Sequence, residues 1–100
     1  MPYIAKEHRT HELNEAINTL VNLVENSNSR DAAGDFHPGV LNYSISMIIN
    51  KILNYNKVSY SNINKLVGVL ECVKLELYRR VAGPYEDEMI EKNGDIYPND

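Results

Sequence analysis

Residues 63–81 read INKLVGVLECVKLELYRRV, with apolar side chains at Ile63, Leu66, Val67, Leu70, Val73, Leu77 and Val81. Steps of three and four place those seven on one side of an α-helix, since 3.6 residues complete a turn. Glu71/Lys74, Glu76/Arg79 and Glu76/Arg80 stand three or four apart and can support the helix as ion pairs. Ser59 or Ser61 upstream can accept a hydrogen bond from a free amide of the first turn. Downstream, Gly83-Pro84 ends or kinks the helix, because Pro84 has no amide to donate to the preceding turn.

The same period recurs on the N-terminal side. In residues 10–26, Leu13, Ala16, Ile17, Leu20, Val21 and Val24 form an apolar stripe behind Thr10, a capable N-cap. In residues 40–55, Leu41, Ile45, Ile48, Ile49 and Ile52 form another. The isoleucines lower helix propensity, but sixteen residues at this period exceed an ordinary strand. Pro38 fits the first turn of that helix, where its missing amide costs nothing. Between the two lies the polar stretch 27–35, SNSRDAAGD, which reads as a loop. Beyond Pro84 a short helix is expected over 85–92, with Glu86, Asp87 and Glu88 in the turn where the helix dipole favours carboxylates. Asn93-Gly94 stops it and residues 95–100 form an extended tail. The expected fold is all-α: one domain, a small bundle of three main helices plus a short C-terminal helix.

Composition narrows the function. One hundred residues, 43% hydrophobic and 24% charged, suit a single globular domain. A net charge of −4 argues against a basic duplex-binding surface. The charge is uneven: residues 1–81 hold nine basic and eight acidic groups (+1), and residues 82–100 one basic and six acidic (−5). No stretch is apolar for long enough to span a membrane, and one cysteine makes no internal disulfide, so a cytoplasmic setting is expected. No cofactor is called for. Val69 and Leu75 lie off the main stripe, more apolar surface than three helices readily cover, so a homo-oligomer is expected.

Four features carry candidate chemistry. His8, His11 and Glu15 suit a metal only in part, since zinc usually takes three or four protein ligands, and a solvated helix start explains them as well. Cys72, four residues after Gly68 and with no histidine in its segment, reads as a small residue that lets another helix approach. Asn14, Asn18, Asn22 and Asn26 line one face of the first helix, toward water or a second copy.

The fourth feature is the most informative. Lys74 falls inside the apolar stripe between Val67, Leu70 and Leu77, with Glu71, Tyr78 and Tyr60 at its margin. An ammonium there must snorkel, pair with Glu71, or meet a ligand's negative charge. Tyr78-Arg79-Arg80 and then Tyr85 add two guanidiniums, which fit phosphates and carboxylates, and two rings that can stack on bases. The alternative pairs Arg79 and Arg80 with Glu86, Asp87 and Glu88. The candidate ligand set is Lys74, Arg79, Arg80, Tyr78, Tyr85, Glu71, Tyr60 and Asn64, with no catalytic and no metal-ligating residue.

Several short runs are shared with a known group. The start Met1-Pro2-Tyr3-Ile4, then Leu41-Asn42-Tyr43 with Ile45, and Ser59-Tyr60 with Ile63-Asn64 belong to it. So do Gly68-Val69-Leu70-Glu71 with Lys74 and Glu76, Tyr78-Arg79-Arg80-Val81, Pro84-Tyr85-Glu86-Asp87 and Asn93-Gly94-Asp95-Ile96-Tyr97. With them the chain resembles a family of short helical proteins of unassigned activity encoded by phages and prophages. The resemblance covers nearly the whole chain except the loop at 27–37, which is longer here. It implies a phage origin and action inside an infected bacterium. Small phage proteins commonly sequester a nucleotide signal, inhibit a host or defence protein, or serve as adaptors. By that analogy, the expectation is a non-enzymatic anti-defence protein that binds itself and a small nucleotide-type ligand in the host cytoplasm. A protein–protein adaptor or inhibitor acting on a host protein is the alternative.

Overall fold

The computed structural model describes residues 3–25, 34 and 36–97, and among them helices are the only regular elements. A single 3₁₀ turn, Lys6–His8, precedes α1 (His11–Glu25), α2 (Pro38–Tyr55) and α3 (Tyr60–Leu77). A π-helical turn, Tyr78–Ala82, then leads directly into α4 (Gly83–Asn93). The all-α class with three main helices and a shorter C-terminal one is therefore as expected. The chain divides into two units, one over Tyr3–Ile63 and one from Asn64 onward.

In the first unit the helix starts follow from their caps. The Thr10 hydroxyl accepts the Leu13 amide at 3.2 Å, satisfying a donor that no carbonyl of the helix can reach. α2 begins at Pro38, in the first turn as expected, and His37 caps it: Nδ1 accepts the Gly39 amide at 3.0 Å. A Cβ on Gly39 would lie 3.0 Å from that imidazole and would have to push the ring aside by a few tenths of an ångström. Before α1, Arg9 holds the incoming chain with both Nε and Nη2 on the Ile4 carbonyl, at 3.2 and 2.8 Å. Of the two serines able to cap α3, Ser59 does so, accepting the Asn62 amide at 3.2 Å. Asn26 and nearly all of the 27–35 loop lie outside the described residues.

In the second unit the regular α3 ends at Leu77 and α4 opens with Gly83-Pro84, as expected, and the two are joined without a gap by a widened turn that was not expected. The Gly83 amide donates to the Tyr78 carbonyl five residues back. Proline in an α-helix lacks its own bond and drives its ring into the carbonyl four residues earlier. One wider turn moves that carbonyl aside, so Tyr78–Ala82 absorbs the proline and the chain stays helical. α4 ends where Asn93-Gly94 predicts: Gly94, at φ 88° and ψ 146°, turns the chain out while its amide donates to the Ile90 carbonyl at 2.8 Å. The tail then closes an Asx turn, with the Tyr97 amide on Asp95 Oδ1 at 3.0 Å. Residues 98–100 lie outside the described residues.

None of the described residues is buried. Side chains on every main helix keep a large fraction of their apolar surface open, Ile17, Ile45, Val67 and Val73 among them. No described helix is long and apolar enough to cross a membrane.

Candidate functional site

Lys74 is placed by α3 one turn from Glu71, and the two form an ion pair, Nζ to Oε1 at 2.7 Å. The amine is 60% exposed, so it is not enclosed by its apolar neighbours. The reason is local: a lysine stem is long enough to carry its ammonium from an apolar stripe to the margin, where Glu71 stands one turn away. Of the readings open for Lys74, the pair with Glu71 is formed, and the lysine's charge is answered within its own helix.

Arg79 turns back toward α3 and meets Glu76, Nε to Oε2 at 3.4 Å. It does not pair with the acids of α4. Ion pairs along a helix form at three or four residues, and Arg79 to Glu86 is seven. Arg80 has no hydrogen-bond or ion-pair partner among the described residues, and its planar fork of donors is open. Tyr78 and Tyr85 flank it in sequence, both about 60% exposed with free ring faces. Tyr60 and Asn64 stand at the opposite end of α3, about five and a half and four and a half turns before Arg80, so they do not converge with the arginines. Tyr78, Arg79 and Arg80 thus lie on the widened turn and Tyr85 on the first turn of α4, neighbours along the chain, while Glu71/Lys74 and Tyr60/Asn64 stand at separate levels of α3.

The widened turn itself was not legible beforehand. π-turns recur at functional sites because they re-aim side chains that a regular helix would space evenly. A proline following the helical YRRV run was the available signal.

Concave surfaces lie elsewhere; two stand out, one by its apolar lining and one by its acidic groups. In the first unit, α1 and α2 form an apolar groove of about 270 Å³, lined by Ile17, Leu20, Val21 and Val24 on one side and Leu41, Ser44, Ile45 and Ile48 on the other, with Phe36 at the edge. In the second, α4 and the tail enclose a shallow hollow carrying Glu86, Asp87 and Asp95. Neither includes Lys74, Arg79 or Arg80. His11 Nε2 lies 3.9 Å from Glu15 Oε1, the shared helix face expected of them, and no group of three metal-binding side chains forms among the described residues. Cys72 is a free, half-buried thiol.

No curated protein and no solved structure matches the chain. A family model does: its description is a domain of unknown function, DUF6899, its match runs over residues 1–96, and the chain is a member of that family.

Proposed function

We propose that this protein is a non-enzymatic binding module that acts as a homo-oligomer and sequesters a small anionic, nucleotide-type signal, of the cyclic-nucleotide or ADP-ribose kind, in an infected bacterium. The observation that carries the reading is the open Arg80 guanidinium on the π-turn, with Tyr78 and Arg79 on the same turn and Tyr85 at the start of α4. A phosphate takes a bidentate fork, a base takes a phenol face, and both are offered within about 10 Å along one helix. Arg79 can join, because an exposed pair at 3.4 Å is worth only about 0.2–1 kcal/mol and is readily exchanged for a phosphate. Lys74 contributes background positive charge and not a contact, since Glu71 holds it.

Ligand binding to the folded state raises the unfolding temperature. The test is a thermal-shift panel of cyclic dinucleotides, cyclic trinucleotides and ADP-ribose derivatives on the wild-type protein and on Arg80→Ala. A shift with one member that disappears in Arg80→Ala while the fold is kept supports the proposal; no shift across the panel refutes it. Docking onto a host or defence protein is the second reading, favoured by the apolar α1–α2 groove. A stoichiometric protein partner recovered from infected cells, with a silent ligand panel, would establish it instead.

A further inference from the structure

We propose that Asn93 is a self-modification site: without any enzyme, its side-chain amide becomes a carboxylate through attack by the Gly94 nitrogen, at a pace set by opening of the last turn of α4. The proposal goes beyond the ligand reading above and does not depend on it.

The sequence supplies the pair. Of the thirteen asparagines, only Asn93 is followed by glycine. A following side chain crowds the attacking nitrogen; glycine has none, and its backbone reaches conformations closed to other residues. The structure supplies access. Asn93 is exposed at the end of α4. Among the described residues, its Nδ2 has only the Met89 sulfur, a weak acceptor, at 4.0 Å. A Cβ placed on Gly94 would meet nothing within 4 Å, so the junction is not shielded.

The structure also supplies a brake. The Gly94 amide donates to the Ile90 carbonyl at 2.8 Å. That hydrogen must leave before the nitrogen can attack, so the bond protects the nucleophile. Asn93 is helical, and at a ψ of about −42° the Gly94 nitrogen is rotated out of the plane that a five-membered ring with Cγ requires. Both restraints vanish when the final turn opens, and frayed helix ends lie at the low end of local stability.

The reaction needs only water as co-reactant. The Gly94 nitrogen gives up its proton and bonds to Asn93 Cγ; the Cγ–Nδ2 bond breaks, and Nδ2 leaves as ammonia with that proton. Water then opens the succinimide at either carbonyl. One product is an aspartate; the other is an isoaspartate, with the main chain routed through the former side chain. Either sets a carboxylate at the C-terminal end of α4, where the helix dipole disfavours it, in a segment already holding six acids. The isoaspartate also adds a main-chain carbon between Ile90 and Gly94, which undoes the bond that closed the turn.

The test incubates the full chain at mildly alkaline pH, folded in buffer and unfolded in guanidinium chloride. Peptide mapping by mass spectrometry reads the converted fraction at position 93 and separates the two products. Both samples should convert, the folded one slower by about three- to a hundredfold, the share of time its last turn is open. A folded chain slowed by more than that overturns the site, and equal rates in the two states overturn the brake. Hydrogen exchange at the residue-94 amide gives a second readout. It should quicken as the wild type ages and stay constant in Asn93→Gln, whose longer side chain closes a six-membered ring far more slowly. An aged, converted wild type with unchanged exchange overturns the claim that modification loosens α4.

Discussion

Consider replacing Ile45 by alanine. The side chain is 41% exposed in one chain, so roughly three-fifths of it is covered by its own neighbours. Removing three carbons from a site covered to that extent costs about 1.4 kcal/mol, taking 0.8 kcal/mol for each fully buried methylene. Were the same carbons wholly buried, their loss would also leave a cavity and the cost would rise to about 3 kcal/mol, within the 2–5 kcal/mol usual for core isoleucine truncation. Urea unfolding followed by far-ultraviolet circular dichroism measures the difference. We expect the smaller cost. A value near 3 kcal/mol would refute the reasoning, which takes the cover of Ile45 from its own chain alone.

Two further outcomes can be stated. Gly94→Ala meets nothing within 4 Å, yet it forces a side chain onto a backbone at φ 88° and ψ 146°. The strain is about 1–3 kcal/mol, and hydrogen exchange of the residue-94 amide should speed up by roughly five- to hundredfold as its bond to Ile90 opens. An unchanged exchange rate would contradict the backbone assignment. Lys74→Ala should cost less than about 1 kcal/mol, and a double-mutant cycle with Glu71→Ala should give a coupling that shrinks with added salt, because both ends of the pair are exposed. A salt-insensitive coupling above about 2 kcal/mol would mean that the pair is buried in the assembly.

The helices were readable because each carries its own instructions. Stripes at three and four residues set α1, α2 and α3, while Thr10, Ser59 and Asn93-Gly94 marked ends that the coordinates keep to within a residue. The cap of α2 was harder, since histidine is not a usual N-cap and here its imidazole takes the Gly39 amide. At Gly83-Pro84 the interruption of α3 and the new helix were foreseen, but not the widened turn that joins them, because a proline supports a stop, a kink or a wider turn and local propensity does not choose among them. For the site, the wheel placed Lys74 correctly among apolar residues. It did not foresee how far the stem reaches, and that decides whether the ammonium is enclosed or paired. Which arginine is left open was likewise beyond spacing rules, since Glu76 stands within reach of both Arg79 and Arg80 and takes the first.

A π-turn holds one more residue than a regular helix needs, and that surplus works like a shim in a drive shaft. Everything C-terminal to Ala82 is rotated by about one residue's worth, ~100°, relative to where uninterrupted winding would bring it. The carboxylates of Glu86, Asp87 and Glu88 are thereby phased away from the positions they would hold on a straight continuation of α3. Excising Val81, with Pro84 changed to alanine so that ordinary winding is permitted, would swing the acidic segment around the axis without removing a single charge.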